Sequence, residues 1–308
     1  MRTSWAGSSR PTCSVRVPPA CAWADRALDV DYSVDVDGVP IRYRVTGSGT
    51  REILLIHGHL ANSQWWHAIV PLLEDRYRLV LVDLSGHGDS GHREAYSVQQ
   101  WAADVVGVLE HLGSTDAILA AHSLGGAVAI GVAAQHGSRV SSVVLFDTLI
   151  AGLAEPRPQF PERPQGRSVP YATTAEAVSR FRLMPPQPPV APELVAPIAA
   201  NSLRAVEGGW TWKFDRTGRV TFDYDFVLNS ARALTVPLLY VYGEHSSVVT
   251  TGAVADAERV LPSKTSTYVQ IPGGHHHLVL DHAEQCAALI ENFAVTSAML
   301  GERKVLPQ

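Results

Sequence analysis

One serine has neighbours that favour nucleophilic chemistry. Ser123 lies in the segment Ala-His-Ser-Leu-Gly-Gly at residues 121–126, between a short apolar run and an alanine-rich stretch. Small residues around a serine, between a buried strand and a helix, are typical of a strained turn that exposes the hydroxyl group. The first glycine of the usual Gly-x-Ser-x-Gly pattern is replaced by Ala121, which is still small. We therefore predict that Ser123 is a nucleophile.

A serine hydroxyl needs a base, and a run of three histidines offers candidates. His275, His276 and His277 follow two glycines near the end of the sequence. Imidazole can take the proton of a serine and return it to a leaving group. Three adjacent side chains cannot all face one serine. Because adjacent side chains diverge and no carboxylate cluster accompanies them, we expect no metal ion at this triplet.

The elements around these residues alternate between strand and helix. Apolar runs too short for amphipathic helices predict strands buried on both faces, at residues 53–56, 79–82, 117–121, 143–146, 238–242 and 267–271. Helical patterns lie at residues 63–73, 98–112, 124–136, 253–261 and 283–300. A hairpin is predicted over residues 32–45, with its turn at Asp37-Gly38. This order predicts an α/β fold with a doubly wound, mostly parallel sheet, in which sites gather beyond the carboxyl ends of the strands.

The alternation is interrupted between residues 150 and 232. Ten of the 20 prolines lie between Pro156 and Pro192, which argues against ordinary sheet or one long helix there. A segment of this length is too long for a plain loop, and it is predicted to be a helical cap with pieces near residues 175–181 and 193–206. The predicted organisation is a tail at residues 1–28, a core at residues 29–149 and 233–300, and a cap at residues 150–232.

Composition narrows the class of partner and the compartment. With 46% hydrophobic residues, 18% charged residues and a net charge of −5, the chain lacks the basic character of a nucleic-acid-binding protein. The three cysteines, Cys13, Cys21 and Cys286, are odd in number and widely spaced, which predicts free thiols in a reducing compartment. No run has transmembrane length, and residues 1–25 lack the apolar stretch of a secretory signal. We expect a cytoplasmic protein that binds neither membranes nor nucleic acids.

A loop after the predicted strand at residues 53–56 has the right position to stabilise an oxyanion. Its sequence is His57-Gly58-His59-Leu60. Such a loop can present one backbone N–H to a developing negative charge, and the residue after the nucleophile can present another. We predict that the N–H groups of His59 and Leu124 form this pair. The side chain of His57 is predicted to pack beneath the loop.

Together these pieces resemble the α/β-hydrolase fold family. They are His57-Gly58, the segment Asp-Leu-Ser-Gly-His-Gly-Asp-Ser at residues 83–90, the Ser123 segment and the histidines after the last predicted strand, in the family's order. The resemblance covers residues 31–149 and 233–300. It implies an eight-stranded sheet, an inserted cap and the chemistry of a carboxylesterase or lipase with a serine nucleophile.

The resemblance also leaves two assignments open. The family's histidine stands about five residues before an acidic residue that opens the last helix, which implies His276, whereas counting from the glycines gives His275. We predict His276, with His275 as the alternative, because the start of a helix is a more fixed anchor than a loop glycine. The family's usual aspartate position holds Ser246, in the sequence Gly-Glu-His-Ser at residues 243–246. Some members carry the acid at the end of the preceding strand, which is Asp147 here. We predict Asp147 as the acid, with Glu244 as the alternative and an arrangement built on Ser246 without a carboxylate as a third.

A serine nucleophile points to acyl transfer, whereas relatives that cleave haloalkanes or epoxides attack with an aspartate. We predict a hydrolase that cleaves a small to medium apolar carboxylic ester, a lactone or a thioester through an acyl-enzyme, without a cofactor. A carbon–carbon bond hydrolase, a cofactor-free non-hydrolytic enzyme and a ligand receptor of the same fold remain alternatives. The sequence leaves the oligomeric state unknown.

The predicted cap contains aromatic and basic side chains, and the sequence allows more than one location for each set. The apolar set is assigned to the interior of the cap, with a substrate pocket as the alternative; it comprises Phe181, Leu183, Met184, Trp210, Trp212 and Phe214. The basic set is assigned to solvated surface, with contact to a substrate carboxylate as the alternative; it comprises Arg180, Arg182, Arg204 and Lys213.

Overall fold

The computed structural model describes residues 30–150 and 169–302, which form an eight-stranded sheet with helices on both faces. In chain order the sheet strands are β1 (Val30–Val36), β2 (Val39–Thr46), β3 (Arg51–Ile56), β4 (Tyr77–Val82), β6 (Ala117–His122), β7 (Val140–Phe146), β11 (Leu238–Gly243) and β12 (Ser266–Ile271). The missing numbers belong to four short strands outside this sheet, which are β5 (Ala95–Ser97), β8 (Leu203–Val206), β9 (Gly209–Trp212) and β10 (Arg219–Thr221). The spatial order is β1-β2-β4-β3-β6-β7-β11-β12, and only β1 and β2 run antiparallel to their neighbours. The predicted fold class is confirmed.

The first two strands form the predicted hairpin. They pair in register from Val30 with Val45 to Val36 with Val39. The turn residues Asp37 and Gly38 have φ values of 51° and 78°. Two consecutive positive φ values match the twist of a two-residue hairpin, and aspartate followed by glycine adopts them at low cost.

The central strands carry alternate side chains into two cores. Leu54 and Ile56 of β3 lie in one buried cluster, while Ile53 and Leu55 of the same strand lie in the other. A strand that is apolar on both faces must be covered by helices on both sides. The helices that provide this cover are α1 (Val70–Leu73), α2 (Val98–Leu112), α3 (Leu124–Gln135), α6 (Tyr224–Arg232), α7 (Thr251–Val260), α8 (Leu278–Asp281) and α9 (Ala283–Glu302).

The prediction of one continuous helix over residues 63–73 of the core is wrong. Residues 63–73 comprise a 3₁₀ turn, Ser63–Trp66, and then the short helix α1, rather than one continuous helix. Pro71 has no N–H to continue a helix from the preceding turn, but it is tolerated in the first turn of a new one. The helix therefore restarts at Val70.

The inserted segment contains strands as well as helices. It carries α4 (Thr174–Ser179) and α5 (Pro192–Asn201), then β8 (Leu203–Val206), β9 (Gly209–Trp212) and β10 (Arg219–Thr221). The prediction of helix over residues 193–206 was wrong beyond Asn201. There β8 pairs with β9 in an antiparallel hairpin, and Gly208 supplies a positive φ of 83° for its turn.

Several contacts dock the inserted segment on the core. Strand β10 pairs in parallel with β5 (Ala95–Ser97). The N–H of Asp215 donates to the Gly86 carbonyl at 2.8 Å, and the Tyr96 hydroxyl donates to the Asp215 carboxylate at 2.7 Å. The division into core and cap stays a prediction, and residues 151–168 of the predicted cap lie outside the described residues.

The remaining sequence predictions concern the N-terminal tail, the cysteines and membrane-spanning segments. The predicted tail at residues 1–28, with Cys13 and Cys21, lies outside the described residues. Cys286 is a free, fully buried thiol, and burial raises its pKa. Among the helices of the described ranges, none is both long enough and apolar enough to cross a bilayer.

Helix α3 packs so closely on the segment after β7 that an alanine in place of one of its glycines is expected to be destabilising. A Cβ atom added at Gly126 would lie 1.9 Å from Oγ1 of Thr148, a buried β-branched side chain that is stiff at χ1. We expect Gly126→Ala to lower the free energy of unfolding by about 1–3 kcal/mol through overpacking. Urea titration measures this loss.

Gly137→Ala is the matched control, because its added Cβ would meet no atom closer than 3.8 Å. Its effect on the free energy of unfolding is expected to stay within about 0.5 kcal/mol. Equal losses in the two variants would contradict the packing argument.

Candidate active site

Ser123 occupies a strained turn between β6 and α3. Its φ and ψ are 55° and −121°, and it is one of four non-glycine residues with positive φ in the described part of the chain. Its N–H donates to the Phe146 carbonyl at 2.9 Å, which fixes the turn against the end of β7. Strain of this kind persists only where the surroundings enforce it, and it lifts the side chain out of the strand.

The small residues around the serine are required by close backbone approaches. A Cβ at Gly125 would lie 2.5 Å from the His57 carbonyl oxygen, and a Cβ at Gly58 would lie 3.1 Å from the Ser123 Cβ. Ala121 is fully buried in the core. The spacing of small residues in the sequence thus reflects the contact between the Ser123 turn and the loop after β3.

Asp147 is a fully buried carboxylate held by three hydrogen bonds. It directly follows β7 and has a positive φ of 47°. Its Oδ1 accepts from His276 Nδ1 at 2.7 Å and from the Ser246 hydroxyl at 2.6 Å, and its Oδ2 accepts from the Gly243 N–H at 3.0 Å. A buried carboxylate is costly unless it is paired and hydrogen-bonded, and here both oxygens are satisfied.

Ser246 supports Asp147 from the position where the family usually has its aspartate. Its Oγ accepts the N–H groups of Val248 at 3.0 Å and Val249 at 2.9 Å. Both of these contacts are donors, so the hydroxyl proton is left to point at Asp147. The structure therefore places a carboxylate beside His276, unlike the third arrangement, which relied on Ser246 without one.

The structure distinguishes His276 from its two neighbours. His276 is 4% exposed and donates Nδ1–H to Asp147. The half-buried ring of His275 lies instead against the ring of His245, at 5.5 Å between centroids. The sequence alternative His275 therefore packs against His245, whereas the hydrogen bond to Asp147 is made by His276.

Glu244, the alternative acid, has a different contact. Its side chain is 45% exposed, and Oε2 accepts the Gly273 N–H at 2.8 Å. Since this bond fixes the turn before the histidines, Glu244 supports the loop rather than the His276 ring.

Three buried histidines cluster beside the Ser123 turn. His122 donates Nε2–H to the His276 carbonyl at 2.9 Å, and His277 donates Nε2–H to the Pro185 carbonyl at 3.3 Å. Burial, with His276 nearby, lowers the pKa of His277 to about 3 and that of His122 well below its usual value. Both rings are therefore neutral near neutral pH.

This cluster is also where a metal ion could bind. One ring nitrogen from each of His122, His276 and His277 lies within 4.8 Å of the others. The expectation that adjacent histidines diverge was wrong for His276 and His277, whose ring centroids are 4.9 Å apart. A metal ion bound here would occupy a His276 nitrogen, so this ring could not then act as a base.

The loop after β3 is fixed by the side chain of His57. Its Nε2 accepts the Leu84 N–H at 3.1 Å, so its Nδ1 carries the proton and donates to the Gly58 carbonyl at 2.7 Å. In a trans peptide the carbonyl and the next N–H point in opposite directions, so this bond also sets the direction of the His59 N–H. The predicted packing role of His57 is confirmed, and burial lowers its pKa.

The second predicted donor, the Leu124 N–H, opens helix α3. The first N–H groups of a helix have no acceptor within the helix, and they carry the positive end of its dipole. Leu124 is buried and directly follows Ser123. The helix therefore directs a partial positive charge at the position of the serine.

Comparison with known proteins assigns the family. Residues 52–283 match the profile of the α/β-hydrolase fold, which is about three quarters of the chain. The chain belongs to the α/β-hydrolase fold family. Each of the matching motifs in this α/β hydrolase lies at the carboxyl edge of the central sheet, where ligands of open α/β folds bind.

Two relatives of this α/β hydrolase match it over nearly their whole length. The chain is 29% identical to 2-(acetamidomethylene)succinate hydrolase of Mesorhizobium japonicum over 88% of its own length and 98% of the relative. It is 28% identical to a non-heme haloperoxidase of Rhodococcus erythropolis over 83% and 96%. A solved structure of E-2-(acetamidomethylene)succinate hydrolase matches with a TM-score of 0.71 at 23% identity, covering 86% of this chain and 99% of that one. Hydrolase is the level of activity that these relatives support.

Sequence reasoning missed two supporting residues of this α/β hydrolase. His122 was seen only as a position within the serine motif, and its partner His276 lies 154 residues away. The role of Ser246 as a hydrogen-bond donor to Asp147 was missed as well. The signal for Ser246 was the departure from the family pattern at its position, whereas nothing local marks His122.

The buried neutral histidines make this α/β hydrolase sensitive to acid. A histidine in the unfolded chain titrates near pH ~6.5, whereas folded His277 titrates near 3. Between these values the unfolded chain binds more protons, so the free energy of unfolding falls as pH is lowered through this window. We expect His277→Gln to reduce the fall in Tm on acidification from about pH 6.5 to pH 4.

The control for this measurement is His245→Gln, since the His245 side chain is 56% exposed. Its Tm should change with pH as in the parent protein. An unchanged pH dependence in His277→Gln, measured by differential scanning fluorimetry, would show that the buried histidine does not contribute.

Proposed function

We propose that this α/β hydrolase cleaves small to medium carboxylic esters through an acyl-enzyme on Ser123, with His276 as the base and Asp147 as its orienting acid. The single observation that carries the proposal is the buried Asp147–His276 hydrogen bond of 2.7 Å. Because this bond takes the Nδ1 proton, the neutral ring presents the lone pair of Nε2 for proton transfer.

The first half of the proposed reaction forms an ester on the enzyme. His276 Nε2 takes the Ser123 hydroxyl proton while Oγ attacks the substrate carbonyl carbon. Asp147 stays ionised and stabilises the imidazolium that forms. The bond to the leaving oxygen then breaks, and His276 returns the proton to the departing alcohol.

The second half releases the acid. A water molecule gives a proton to His276 Nε2 and attacks the acyl carbon. The bond to Ser123 Oγ breaks, and the serine recovers the proton. One ester and one water thus give one acid and one alcohol, and no cofactor is consumed. Thioesters can follow the same steps with a thiol as the leaving group, and lactones with an alcohol that stays attached to the acyl group, so that a hydroxy acid is the single product.

The negative charge of each tetrahedral intermediate is proposed to rest on the N–H groups of His59 and Leu124. Donors that are fixed before the reaction cost no reorganisation when the charge develops. The His57 bond to the Gly58 carbonyl supplies that fixation for the His59 N–H, and helix α3 supplies it for the Leu124 N–H. Removing one such donor typically costs about 10²–10³-fold in turnover.

The inserted segment is proposed to act as a cap over this site. Helix α5 packs against the 3₁₀ turn at Ser63–Trp66, where the Asn62 side chain donates to the Ser202 hydroxyl at 2.8 Å. Gln187 links the segment to the histidine loop, since it accepts the His277 N–H at 2.9 Å. A cap held at these points limits the size of the acyl group that can reach Ser123, and the proposed partner is a small molecule.

A serine nucleophile is expected to react with a fluorophosphonate probe. We expect one label on Ser123 in the parent protein, located by peptide mass spectrometry, and none in Ser123→Ala. The same comparison should show hydrolysis of 4-nitrophenyl esters of graded chain length by the parent alone. A parent protein that neither labels nor hydrolyses any ester, lactone or thioester would overturn the proposal.

The orienting role of Asp147 is tested by removing its charge while keeping its shape. We expect Asp147→Asn to lower kcat by roughly 10⁴-fold, because the amide favours the wrong tautomer of the histidine. Glu244→Gln is the matched control and should stay within a fewfold of the parent. The assignment fails if Asp147→Asn keeps near-normal turnover and Glu244→Gln loses it.

A further inference from the structure

A cavity of about 230 Å³ opens beside the proposed reaction centre. Its wall includes His59 and Leu60, next to the backbone N–H that we assign to the oxyanion. Neither Ser123 nor His276 belongs to its described lining, so the cavity is a neighbouring chamber rather than the place of bond cleavage. A substrate whose carbonyl lies at Ser123 can extend one end into it.

The chamber combines aromatic walls with positive charge. The apolar lining residues are Leu60, Trp65, Phe181, Met184, Trp212 and Phe214. Four cationic side chains also line it, namely Arg180, Arg182, Lys213 and Arg216. No aspartate or glutamate is among its described lining residues, although the whole chain has a net charge of −5. The chamber is therefore a local concentration of positive charge in an acidic protein.

Two of these cations already have partners. Lys213 Nζ lies 2.7 Å from the Asp89 carboxylate. The Arg182 guanidinium donates to the carbonyls of Ser179 at 2.9 Å and Phe181 at 2.6 Å. Arg180 and Arg216 form no ion pair within residues 30–150 and 169–302. Their charges are available to a ligand.

Of Arg180 and Arg216, Arg216 provides the stronger evidence for a bound ligand. Its guanidinium lies over the Phe214 ring, 5.3 Å from the centroid, which holds the long side chain in place. Its Nε is buried and has no hydrogen-bond partner among the residues that the structure describes. A buried donor without an acceptor is unfavourable in the free protein, and an arriving anionic oxygen would satisfy it. Guanidinium groups fit carboxylates well because two parallel hydrogen bonds can form.

We propose that this chamber binds a carboxylate of the substrate, with Arg216 and Arg180 as the residues that determine this specificity. The inference rests on the proposed function and restricts the class of ester that the enzyme would cleave. The substrate class is an ester that carries a carboxylate at one end, with an apolar part between the carboxylate and the scissile carbonyl. The aromatic wall formed by Trp65, Phe181 and Trp212 contacts that apolar part.

This proposal narrows the ester class expected from the sequence, because the proposed substrate combines an apolar part with a carboxylate. Arg180 and Arg182 are exposed, as assigned from the sequence, and they also line the chamber. Lys213, whose side chain is 19% exposed, lines it as well. Arg204 is exposed on β8 outside the lining, as expected, and this makes it a suitable control.

Matched esters test the proposal on both sides of the scissile bond. The first pair places the carboxylate on the leaving group and compares 4-carboxyphenyl butyrate with its neutral methyl ester. The second pair places it on the acyl group and compares 4-nitrophenyl hydrogen suberate with its methyl ester. Each kcat/KM is divided by the rate of alkaline hydrolysis of the same compound. We expect a preference of about tenfold or more for the carboxylate in one pair, which corresponds to one charge-assisted hydrogen bond.

Variants then assign the preference to the chamber. Arg216→Gln and Arg180→Gln should each lower the ratio of carboxylate to neutral ester, mainly through KM, and Arg204→Gln should leave this ratio unchanged. Circular dichroism checks that each variant is folded. The preference should also fall at high ionic strength, because exposed charges are screened. No preference in either pair, or one that survives both chamber variants, would overturn the proposal.

A binding measurement separates this proposal from the proposed hydrolysis. Ser123→Ala is titrated with the intact carboxylate ester and its neutral partner, and binding is followed by calorimetry. Stronger binding of the carboxylate ester, lost in Ser123→Ala with Arg216→Gln, supports the chamber even if the parent hydrolyses no ester. Equal binding of the two esters contradicts the chamber even if Ser123 proves to be the nucleophile.

Discussion

The hydrogen bond between Asp147 and His276 is the interaction on which the rest of the candidate site depends. It places a carboxylate and an imidazole together in a buried position, 2.7 Å apart. Burying a carboxylate is favourable only if its oxygens are satisfied, so Ser246 and the Gly243 N–H are as necessary to the arrangement as the histidine. The strand ends that carry these groups must stay in register, which couples the site to the central sheet.

The parallel sheet explains why residues so far apart in sequence meet. The carboxyl ends of β6, β7, β11 and β12 lie side by side, and each delivers one part of the site: the serine turn, Asp147, Ser246 and the histidine loop. Parallel pairing with helical crossovers brings successive strand ends to one edge. The acid can therefore follow β7 instead of β11, because the two strands are neighbours and their ends approach the same imidazole.

The proposed reaction centre and the adjoining chamber differ in the charge of their side chains. Around the proposed reaction centre the histidines His57, His122 and His277 are buried, with lowered pKa values, and act as neutral donors and acceptors. In the adjoining chamber the arginines remain charged. This separation is consistent with the substrate proposed above, whose reacting carbonyl is neutral and whose distant end is anionic, since a guanidinium keeps its charge in almost any surroundings.

The sequence by itself determined the class of fold and the serine turn, because both depend on local patterns. Apolar runs of strand length and small residues around Ser123 are properties of neighbouring residues, and both were readable. The sequence also showed that Ser246 occupies the family's aspartate position, but it left Asp147, Glu244 and Ser246 as alternatives. Only the tertiary structure distinguished their contacts, since the direction of a side chain at a strand end depends on contacts made across the sheet. The neutral histidine cluster and the cationic chamber likewise required the fold, because each joins residues that are more than 100 positions apart in the sequence.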